Sequence, residues 1–510
     1  MRIKPIFQVF AVDLGLVLAL LVGLQMTRAA PASPDLFVSA TGSGSACSRF
    51  MPCALQTALS RTVDGDTIYV AGRAYTGTGS AVITLTKSIT LYGGWDGSQF
   101  GPIVRDPTRH PTILDGQGQR RVVHISGNIT PTLDGFIITH GNATGLLANC
   151  SSDGCGGGIF VYSAHPIIVN NVISDNIAAA ASVGGLYGRG GGLYLQYAAR
   201  TVISGNVIIS NVASTASGGE GGGIHLGLGG DMGGTRVQFN QILSNTATTS
   251  DTLARGGGIY GGPDGVLIQG NIVAGNQANS YGGGAGAGIF QWYGSATFLN
   301  NVVRGNLGNV SSYAVFLGYS QSRFEGNQVI DNLTAGGVQL GTVSGDSPPL
   351  VNNVIARSGS TTLAVYGYPS SISAATLLHN TLVGSGAGYG VYGYFAAVYV
   401  TDTIVVSHTW GITNTTPASS TVLADHTLFW ANAHDGIRGV SPVDGDPAFA
   451  ADGYHILTGS AAYNRGVDAG VITDIDGDPR PDSCFPDIGA DELSTGLACW
   501  RIYLPLVLRN

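Results

Sequence analysis

The sequence is poor in charge. Charged residues make up only 11% of its 510 residues, and the formal net charge is −8. Lysine and arginine form no stripe along the chain. Proteins that bind nucleic acid present basic clusters to the phosphates, so this composition argues against a nucleic-acid partner.

The chain also lacks a hydrophobic run long enough to cross a bilayer, which takes about 20 residues. Near the amino end, Arg2 and Lys4 precede an apolar run of eleven residues, Leu14–Leu24, and the small residues Ala29, Ala30 and Ala32 follow. This order is typical of a cleaved export signal, and an uncleaved anchor is the alternative. We therefore expect residues 1–32 to be a signal peptide, no membrane span in the mature chain, and a secreted or cell-surface location.

Cysteine is scarce, and all six residues fall into close pairs: Cys47 with Cys53, Cys150 with Cys155, and Cys484 with Cys499. An even number in an exported chain favours disulfides. Six cysteines allow 15 connectivities, so these local pairs are a hypothesis from spacing. Metal binding is disfavoured because no histidine stands at a ligand spacing from any pair. The sequence predicts neither a metal nor a cofactor.

What the chain has in excess is glycine, at 79 residues, and part of it recurs as Gly-Gly-Gly-aliphatic-aromatic, as in "GRGGGLYL" from Gly188. The aliphatic residue after the glycines, here called the marker, recurs every 21 to 35 residues, at Ile159, Leu193, Ile224, Ile259, Ile289, Val315, Val338, Val365, Val391, Ile412 and Ile437. Periods of this length indicate a solenoid. Short strands without helical periodicity favour a parallel β-helix, right-handed because parallel crossovers have that hand.

A second repeated position is asparagine, which precedes a short apolar run at Asn171, Asn206, Asn240, Asn271, Asn301, Asn327, Asn353 and Asn380. Equivalent residues on successive coils lie about 4.8 Å apart, so identical amides can form a hydrogen-bonded ladder. Ligand binding by these amides is the alternative.

The ends of the chain predict the domain boundaries. "PCALQTALSRTV" places Leu55, Ala58, Leu59 and Val63 on one helical face, which suits a lid over the open end of a solenoid. We predict an amino-terminal cap over 33–66, a β-helix over 67–445, C-terminal coils and a closing segment over 446–496, and an apolar tail over 497–510. We expect the chain to be a monomer.

The repeated "N-x-A … GGG[IL]" unit resembles the repeats of the polymorphic outer-membrane protein family, which carry GGA[ILV] and FxxN motifs. Asn176, Asn211, Asn245 and Asn276 are each followed two residues later by alanine. "DLFVSATGSG" near the amino end and "DIDGDPRPDSCFPDIGADE" near the carboxyl end resemble secreted bacterial right-handed β-helix proteins, and the resemblance covers about residues 35–492. It implies a surface or secreted protein, of a kind often proposed to be an adhesin.

Catalytic chemistry has few candidates. A glycosidase needs two neighbouring carboxylates, but residues 121–440 contain only thirteen acids, and none repeats in a column on neighbouring coils. Asp402 and Asp425 come closest, yet they are offset by one position and should face opposite sides of the strand. Sites can still be built from loops, so a polysaccharide lyase or glycoside hydrolase remains the alternative function.

A charged ladder is the best catalytic candidate. Arg189, Glu220 and Arg255 precede the glycines on three successive coils, with His225 nearby. We interpret these residues as a surface ion-pair ladder that contributes about 0 to 1 kcal/mol per pair.

The positions beside the markers carry aromatic side chains. If the markers point inward, these residues point outward and form a stripe suited to stacking on sugar rings. The predicted binding residues are Phe160, Tyr162, Tyr194, His225, Tyr260, Phe290, Trp292, Phe316, Tyr366, Tyr368, Tyr392 and Tyr394. The leading hypothesis is therefore a non-catalytic, adhesin-like protein that binds polysaccharide or another surface macromolecule. In the alternative interpretation, loops cover the stripe and make it a second small core.

Two short segments remain open. Asp474, Asp476 and Asp478 are spaced like the start of a calcium loop, but the absence of the expected glycine and glutamate favours a plain turn. The apolar run Tyr503–Leu508, interrupted by Pro505, predicts a final edge strand, with a detachable export or anchoring tag as the alternative.

Overall fold

The computed structural model describes residues 35–146, 149–150, 152–182, 187–227, 230–250, 253–278, 286–341, 349–416 and 420–494. Within these ranges the chain is a right-handed parallel β-helix, as the repeat predicts. The predicted signal peptide and apolar tail lie outside the described residues. No helix in the described part of the chain is long and apolar enough to cross a membrane.

Each full coil contributes one strand to each of three long sheets, and neighbouring strands in a sheet come from successive coils. Sheet A contains β1 (Leu36–Val38), β2 (Thr67–Ala71), β5 (Thr90–Trp95), β8 (Thr132–Asp134), β12 (Ile167–Val169), β17 (Val202–Ser204), β22 (Arg236–Gln238), β27 (Leu267–Gln269), β31 (Thr297–Leu299), β35 (Arg323–Glu325), β38 (Leu350–Val351), β41 (Ser373–Leu378), β44 (Ala396–Thr401) and β47 (Thr421–Asp425). Because β1 pairs with β2, sheet A begins inside the predicted cap.

Sheet B follows sheet A around each coil. It contains β3 (Ala74–Tyr75), β6 (Thr112–Asp115), β9 (Phe136–Thr139), β13 (Val172–Ser174), β18 (Val207–Ile209), β23 (Gln241–Leu243), β28 (Ile272–Ala274), β32 (Val302–Arg304), β36 (Gln328–Ile330), β39 (Val354–Ala356), β42 (Thr381–Val383), β45 (Ile404–Val406), β48 (Leu428–Trp430) and β50 (Val443–Asp444).

Sheet C carries the markers. It contains β4 (Ala81–Leu85), β7 (Arg121–Ser126), β11 (Ile159–Tyr162), β16 (Leu193–Gln196), β21 (Ile224–Leu226), β26 (Ile259–Tyr260), β30 (Gly286–Gly294), β34 (Tyr313–Ser320), β37 (Gly336–Gly341), β40 (Thr361–Tyr366), β43 (Tyr389–Tyr394), β46 (Trp410–Asn414) and β49 (His434–Gly436). The markers of its early coils, such as Ile159, point into the core, and their neighbours point outward.

Two smaller sheets are formed by the loops that connect sheet B to sheet C. Sheet D contains β14 (Ile177–Ala179), β19 (Val212–Ser214), β24 (Thr246–Thr248), β29 (Gln277–Ala278) and β33 (Leu307–Gly308), and sheet E contains β10 (Gly154–Cys155), β15 (Tyr187–Arg189), β20 (Gly218–Glu220) and β25 (Ala254–Arg255). The Gly/Ala/Ser-rich insertions of the longer repeats are therefore ordered strands as well as loops.

The repeated glycines are needed where these loops enter sheet C. Gly156 has a φ of +62°, a conformation that residues with a Cβ adopt at a cost. A Cβ on Gly157 would lie 2.3 Å from the carbonyl oxygen of Ile177. The first glycine therefore makes the turn, and the second lets two backbones pass in close contact.

The predicted asparagine ladder is confirmed. Each amide from Asn171 to Asn353 donates through Nδ2 to Oδ1 of the next asparagine, at 3.0 to 3.2 Å, and also to a backbone carbonyl. A second ladder joins Asn176, Asn211, Asn245, Asn276, Asn306 and Asn332 and ends on Ser358. All these side chains are buried, so their amides stabilise the turns and are not exposed to a ligand.

The amino-terminal cap contains helix α1 (Leu55–Arg61), the helix predicted there. Leu55 and Ala58 are buried and Leu59 packs against the core. Val63 is an exception: it follows the end of the helix and is 58% exposed, because the chain turns away at Thr62.

Two of the predicted disulfides are confirmed, Cys47–Cys53 and Cys150–Cys155. The third predicted pair includes Cys499, which lies outside the described residues.

The segment 446–494 folds back along the outer face of sheet B. Gln328 Nε2 donates to the Tyr454 hydroxyl at 3.1 Å, and Asn352 Nδ2 donates to the carbonyl of Thr473 at 2.7 Å. Ile456, Ala462 and Ile488 pack against the outward side chains of β45 and β48. This segment, here called the return segment, therefore covers a side of the β-helix.

Candidate functional site

The predicted aromatic stripe is present as a continuous column on sheet C. Phe160 pairs with Tyr194, and the pairing continues through His225, Tyr260, Phe290 and Phe316 on successive coils. Ring centroids along this column lie 4.6 to 5.5 Å apart.

These six side chains are not an exposed binding face, which corrects the leading hypothesis for them. Each is at most 4% exposed. The Cys150–Cys155 disulfide packs against Phe160 and Tyr194, and the Arg121 guanidinium lies 4.4 Å from the Phe160 ring centroid. The loops between sheets B and C cover the column, so its aromatic rings form a second small core.

The marker assignment fails on two later coils. Val338 pairs with Leu363, so Leu363 and not Val365 is the equivalent residue. Ala364 therefore occupies the position of the aromatic column, and Tyr366 lies two positions further along the same strand. Ile412 pairs with Gly436, so Ile437 is one position out of register. Both errors come from coils that lack the glycine triplet, where the sequence offers no fixed point for alignment.

The charged ladder also lies deeper than predicted. Arg189 Nε donates to Glu220 Oε2 at 2.9 Å, and Arg255 Nη1 lies 3.4 Å from Oε1. The Glu220 side chain is only 5% exposed, and His225 Nε2 lies 3.5 Å from it. Burial raises the pKa of Glu220, but His225 and Arg189 lower it further, to about 2. Glu220 is thus a buried anion that anchors two coils, and the interpretation as a surface ladder is wrong.

The remaining predicted aromatic residues are more accessible. Tyr366, Tyr392 and Tyr394 form a cluster with ring centroids 5.6 and 6.1 Å from Tyr366, and Tyr394 is 38% exposed. Tyr162 and Trp292 are half-buried, and Tyr368 is exposed. A binding role for these residues stays a prediction.

An open groove lies beside the column, at the corner between sheets C and A. Its first hollow, of about 330 Å³, is lined by Gly230, Asp231, Met232, Pro263, Asp264, Tyr293 and Gly294. A second hollow, of about 610 Å³, is lined by Asp264, Tyr293, Gly294, Ser295, Tyr319, Gln321 and Ser371. Three residues are common to both, so the hollows form one continuous depression, here called the tyrosine groove.

Two stacked tyrosines form the wall of this groove. The ring centroids of Tyr293 and Tyr319 lie 5.1 Å apart at an interplanar angle of 28°, and Trp292 meets Tyr319 edge-on at 5.1 Å. The tyrosines are 54% and 38% exposed. Tyr197 also borders the groove. Its ring packs so closely on Gly230, which lines the first hollow, that a Cβ on this glycine would lie 1.9 Å from the ring.

A backbone feature turns these tyrosines outward. Strand alternation places Ile289 and Gln291 on the inner face, and the same alternation would place Tyr293 there too. Instead Tyr293 and Tyr319 have φ values of +69° and +47°, in the left-handed region that bulky residues rarely adopt. The chain therefore makes the corner at the tyrosine and presents its ring to solvent.

A buried amide holds this corner in place. Gln291 Nε2 donates to the carbonyl of Gly262 at 2.7 Å, and Oε1 accepts from the hydroxyls of Ser320 and Ser322 at 3.1 and 2.9 Å. These bonds connect three successive coils beneath the groove. The backbone that carries the two tyrosines is thus supported by buried hydrogen bonds.

Two carboxylates line the first hollow. Asp264 Oδ1 accepts from the Ser295 hydroxyl at 2.7 Å, and Asp231 Oδ1 accepts from the backbone N–H of Gly233 at 2.8 Å. Among the described residues, Oδ2 of each aspartate accepts no hydrogen bond. The pairing of Arg236 with Leu267 places the two aspartates on adjacent coils, out of register by two positions. Two acids therefore meet at one site although they share no column.

Sequence reasoning missed Tyr197, Asp231, Asp264, Tyr293 and Tyr319. A signal was present, since Tyr197, Tyr293 and Tyr319 each stand four residues after a marker. The alternation of side chains along a strand assigns that position to the core. The positive φ at these tyrosines turns their rings outward instead. Of the predicted residues, Trp292 contacts Tyr319, and Tyr162 contacts Tyr197 at 5.5 Å.

The other candidate acids have structural roles. Asp425 pairs with Thr401, so Asp402 is one position beyond it and fully buried, as the offset predicts. Asp474 Oδ1 accepts the N–H groups of Asp476 and Asp478, and Oδ2 accepts that of Glu492. These bonds are those of a turn.

Comparisons with known proteins agree with the fold. A family model described as "Right handed beta helix region" matches residues 119–242. No curated protein matches the chain. The polymorphic outer-membrane protein family is not among the matches, so that resemblance stays a prediction.

Similar solved structures include pectate lyase Pel9A, with 13% identity and a TM-score of 0.38, over 90% of this chain and 96% of that one. The complex of XylC with xylose has 11% identity and a TM-score of 0.40, over 91% and 99%. An alginate lyase from Paenibacillus sp. str. FPU-7 has 18% identity and a TM-score of 0.31, over 60% and 97%.

Proposed function

We propose that this protein binds polysaccharide in the tyrosine groove. The observation that carries the proposal is the exposed, stacked pair of Tyr293 and Tyr319 held at left-handed backbone positions. Positive φ recurs at other coil corners, as at Asn170 and Ser210, so what distinguishes this corner is its pair of exposed, stacked aromatic rings. Aromatic faces of this kind suit the flat apolar faces of sugar rings.

The carboxylates favour a sugar rich in hydroxyl groups. Asp231 and Asp264 are exposed, and each offers a free oxygen as an acceptor for hydroxyl donors. Polyuronates would bring further negative charge to the same hollow and be repelled. The groove therefore favours neutral polysaccharide over pectate or alginate. Export by the predicted signal peptide would bring the protein to such polymers outside the cell.

Binding can be measured by affinity electrophoresis against neutral and acidic polysaccharides. We expect retardation by a neutral polymer and at least tenfold weaker binding for Tyr293→Ala with Tyr319→Ala, since tenfold corresponds to about 1.4 kcal/mol. Tyr399→Ala is the matched control, because Tyr399 is 42% exposed on the outer face of sheet A. Equal retardation of the double variant and the native protein would contradict the proposal.

A second candidate function is hydrolysis of the bound polymer. It is favoured by the two aspartates on adjacent coils, since glycosidases use a pair of carboxylates. We expect Asp231→Asn and Asp264→Asn each to abolish release of reducing ends while binding persists. Asp468→Asn is the matched control, because Asp468 accepts the N–H of Gly470 as Asp231 accepts that of Gly233. Unsaturated products, seen by ultraviolet absorbance, would indicate a lyase instead.

A further inference from the structure

The return segment brings three metal-ligating side chains together at a distance from the tyrosine groove. His455, Asp476 and Asp491 come from three different turns, and one ligand atom of each lies within 4.8 Å of the others. His455 Nε2 lies 2.7 Å from Asp476 Oδ2. The imidazole nitrogen and the two carboxylates thus face one point.

The far side of the imidazole is held by a third carboxylate. Asp452 Oδ2 lies 2.5 Å from His455 Nδ1, and Asp452 Oδ1 accepts the backbone N–H groups of Tyr454 and His455. Metal-ligating histidines almost always have such a partner on their second nitrogen, which fixes the ring and raises its basicity. Here Nε2 faces Asp476, and an ion bound at this point would replace the proton between Nε2 and the Asp476 carboxylate.

Asp491 adds a mostly buried carboxylate to this group. Its side chain belongs to a residue only 7% exposed, and Oδ2 accepts the N–H of Ile456 at 2.7 Å. Its other oxygen accepts no hydrogen bond from any described residue. That oxygen is therefore free to contact an ion. Asp452, Asp474 and Asp476 lie nearby, so negative charge here exceeds the single charge that His455 can carry.

We propose that His455, Asp476 and Asp491 bind a divalent transition-metal ion such as Zn²⁺. One imidazole nitrogen with two carboxylate oxygens is a ligand set that zinc accepts, whereas Ca²⁺ takes oxygen ligands alone. Ligands at zinc distances in a tetrahedral site lie about 3.4 Å apart, so the pair at 2.7 Å opens slightly and Asp491 moves inward. The ion would join three turns of the return segment.

The proposal can be tested on the full-length protein after treatment with a chelator. We expect calorimetry to show one Zn²⁺ bound per chain, and saturating Zn²⁺ to raise the melting temperature by a few degrees. His455→Gln and Asp476→Asn should each weaken Zn²⁺ binding at least tenfold. Asp452→Asn should weaken it about 10- to 100-fold through the orientation of the ring. His434→Gln, at an exposed histidine, is the control and should bind Zn²⁺ like the native protein.

If a variant does not fold, the absorption spectrum of the native protein with Co²⁺ still tests the proposal. The native protein with one equivalent of Co²⁺ should show intense visible absorption bands of a four-coordinate site, and Zn²⁺ should remove them. Absence of Zn²⁺ binding, unchanged Zn²⁺ binding by His455→Gln, or stabilisation by Ca²⁺ and not by Zn²⁺ would each overturn the proposal.

Discussion

His379 Nε2 lies 3.3 Å from Asp402 Oδ2, and both side chains are fully buried where the return segment meets sheet B. Arg480 Nη1 donates to His379 Nδ1 at 2.7 Å. Because a guanidinium can only donate, Nδ1 accepts this hydrogen bond, and Nε2 faces the Asp402 carboxyl group. Residues from two coils and from the return segment therefore form one buried polar cluster.

This cluster predicts a pH-dependent stability. Burial raises the pKa of Asp402 from 3.8 to about 7, against the opposing hydrogen bond from Val467 and the charge of Arg480. A carboxyl group with a raised pKa stabilises the fold fully below its unfolded pKa, and this contribution is lost as the pH rises from about 4 to 7. The three-unit difference corresponds to about 4 kcal/mol. We expect Asp402→Asn to gain stability relative to the native protein across this window, measured by urea unfolding.

Buried histidines change the stability of the native protein with pH in the opposite direction. The measurement must therefore compare Asp402→Asn with the native protein at each pH. Burial and the charge of Arg480 lower the pKa of His379 to about 3, and burial lowers that of His408 to about 4. Their stabilisation is present above pH 6.5 and is lost as the pH falls through these values. A constant difference between Asp402→Asn and the native protein from pH 4 to 7 would contradict the prediction.

Glu220 should be essential for stability. Glu220→Gln leaves Arg189 and Arg255 without their shared anion, and the loss of a hydrogen bond to a charged group costs about 1.5 to 3 kcal/mol. Thermal melting should show a clear loss. Glu325→Gln is the control: Glu325 pairs with exposed Arg323, and such pairs contribute about 0 to 1 kcal/mol. Loss of polysaccharide turnover in Glu220→Gln without loss of stability would instead support a catalytic role.

The asparagine ladder should be intolerant of truncation. Asn240 Oδ1 accepts from both the backbone N–H and the side-chain amide of Asn206. Asn240→Ala leaves the buried backbone N–H without an acceptor, whereas the side-chain amide keeps its bonds to the carbonyls of Ile168 and Ser204. At about 1 to 3 kcal/mol for an unpaired buried donor, we expect a loss of about 2 kcal/mol in chemical unfolding. Asn332→Ser should cost less, because serine already fills the next ladder position at Ser358. Equal costs would show that the amide bonds are not the cause.

Two substitutions of Tyr293, which has a left-handed backbone conformation, should differ in stability but not in polysaccharide binding. Asparagine adopts positive φ more readily than alanine, so Tyr293→Asn should be more stable than Tyr293→Ala, by about 1 kcal/mol. Both variants should bind polysaccharide equally weakly, because both lack the ring. Thermal melting and affinity electrophoresis on the same preparations check this. A variant Tyr293→Asn that binds like the native protein would show that the ring is dispensable.

The sequence by itself determined the solenoid. Successive coils stack by a nearly pure translation, so any side chain that bonds or packs with its own copy must recur at the coil period. Asn171 to Asn380 and the glycine triplets do so, and they predict the ladder, the close loop crossings and the inward markers. Where the triplet is missing, as near Val365 and Ile437, the alignment slips by one or two residues.

The tertiary structure decided what happens outside the core. Whether Phe160 and its column face solvent depends on loops that fold over sheet C, and alternation within a strand carries no information about them. Tyr293 is exposed because of a single backbone rotation, which periodicity cannot reveal. His379 and Arg480 are 101 residues apart in the chain, and they meet only because the return segment folds back on sheet B. Contacts between non-repeating parts have no period, so only the folded chain brings them together.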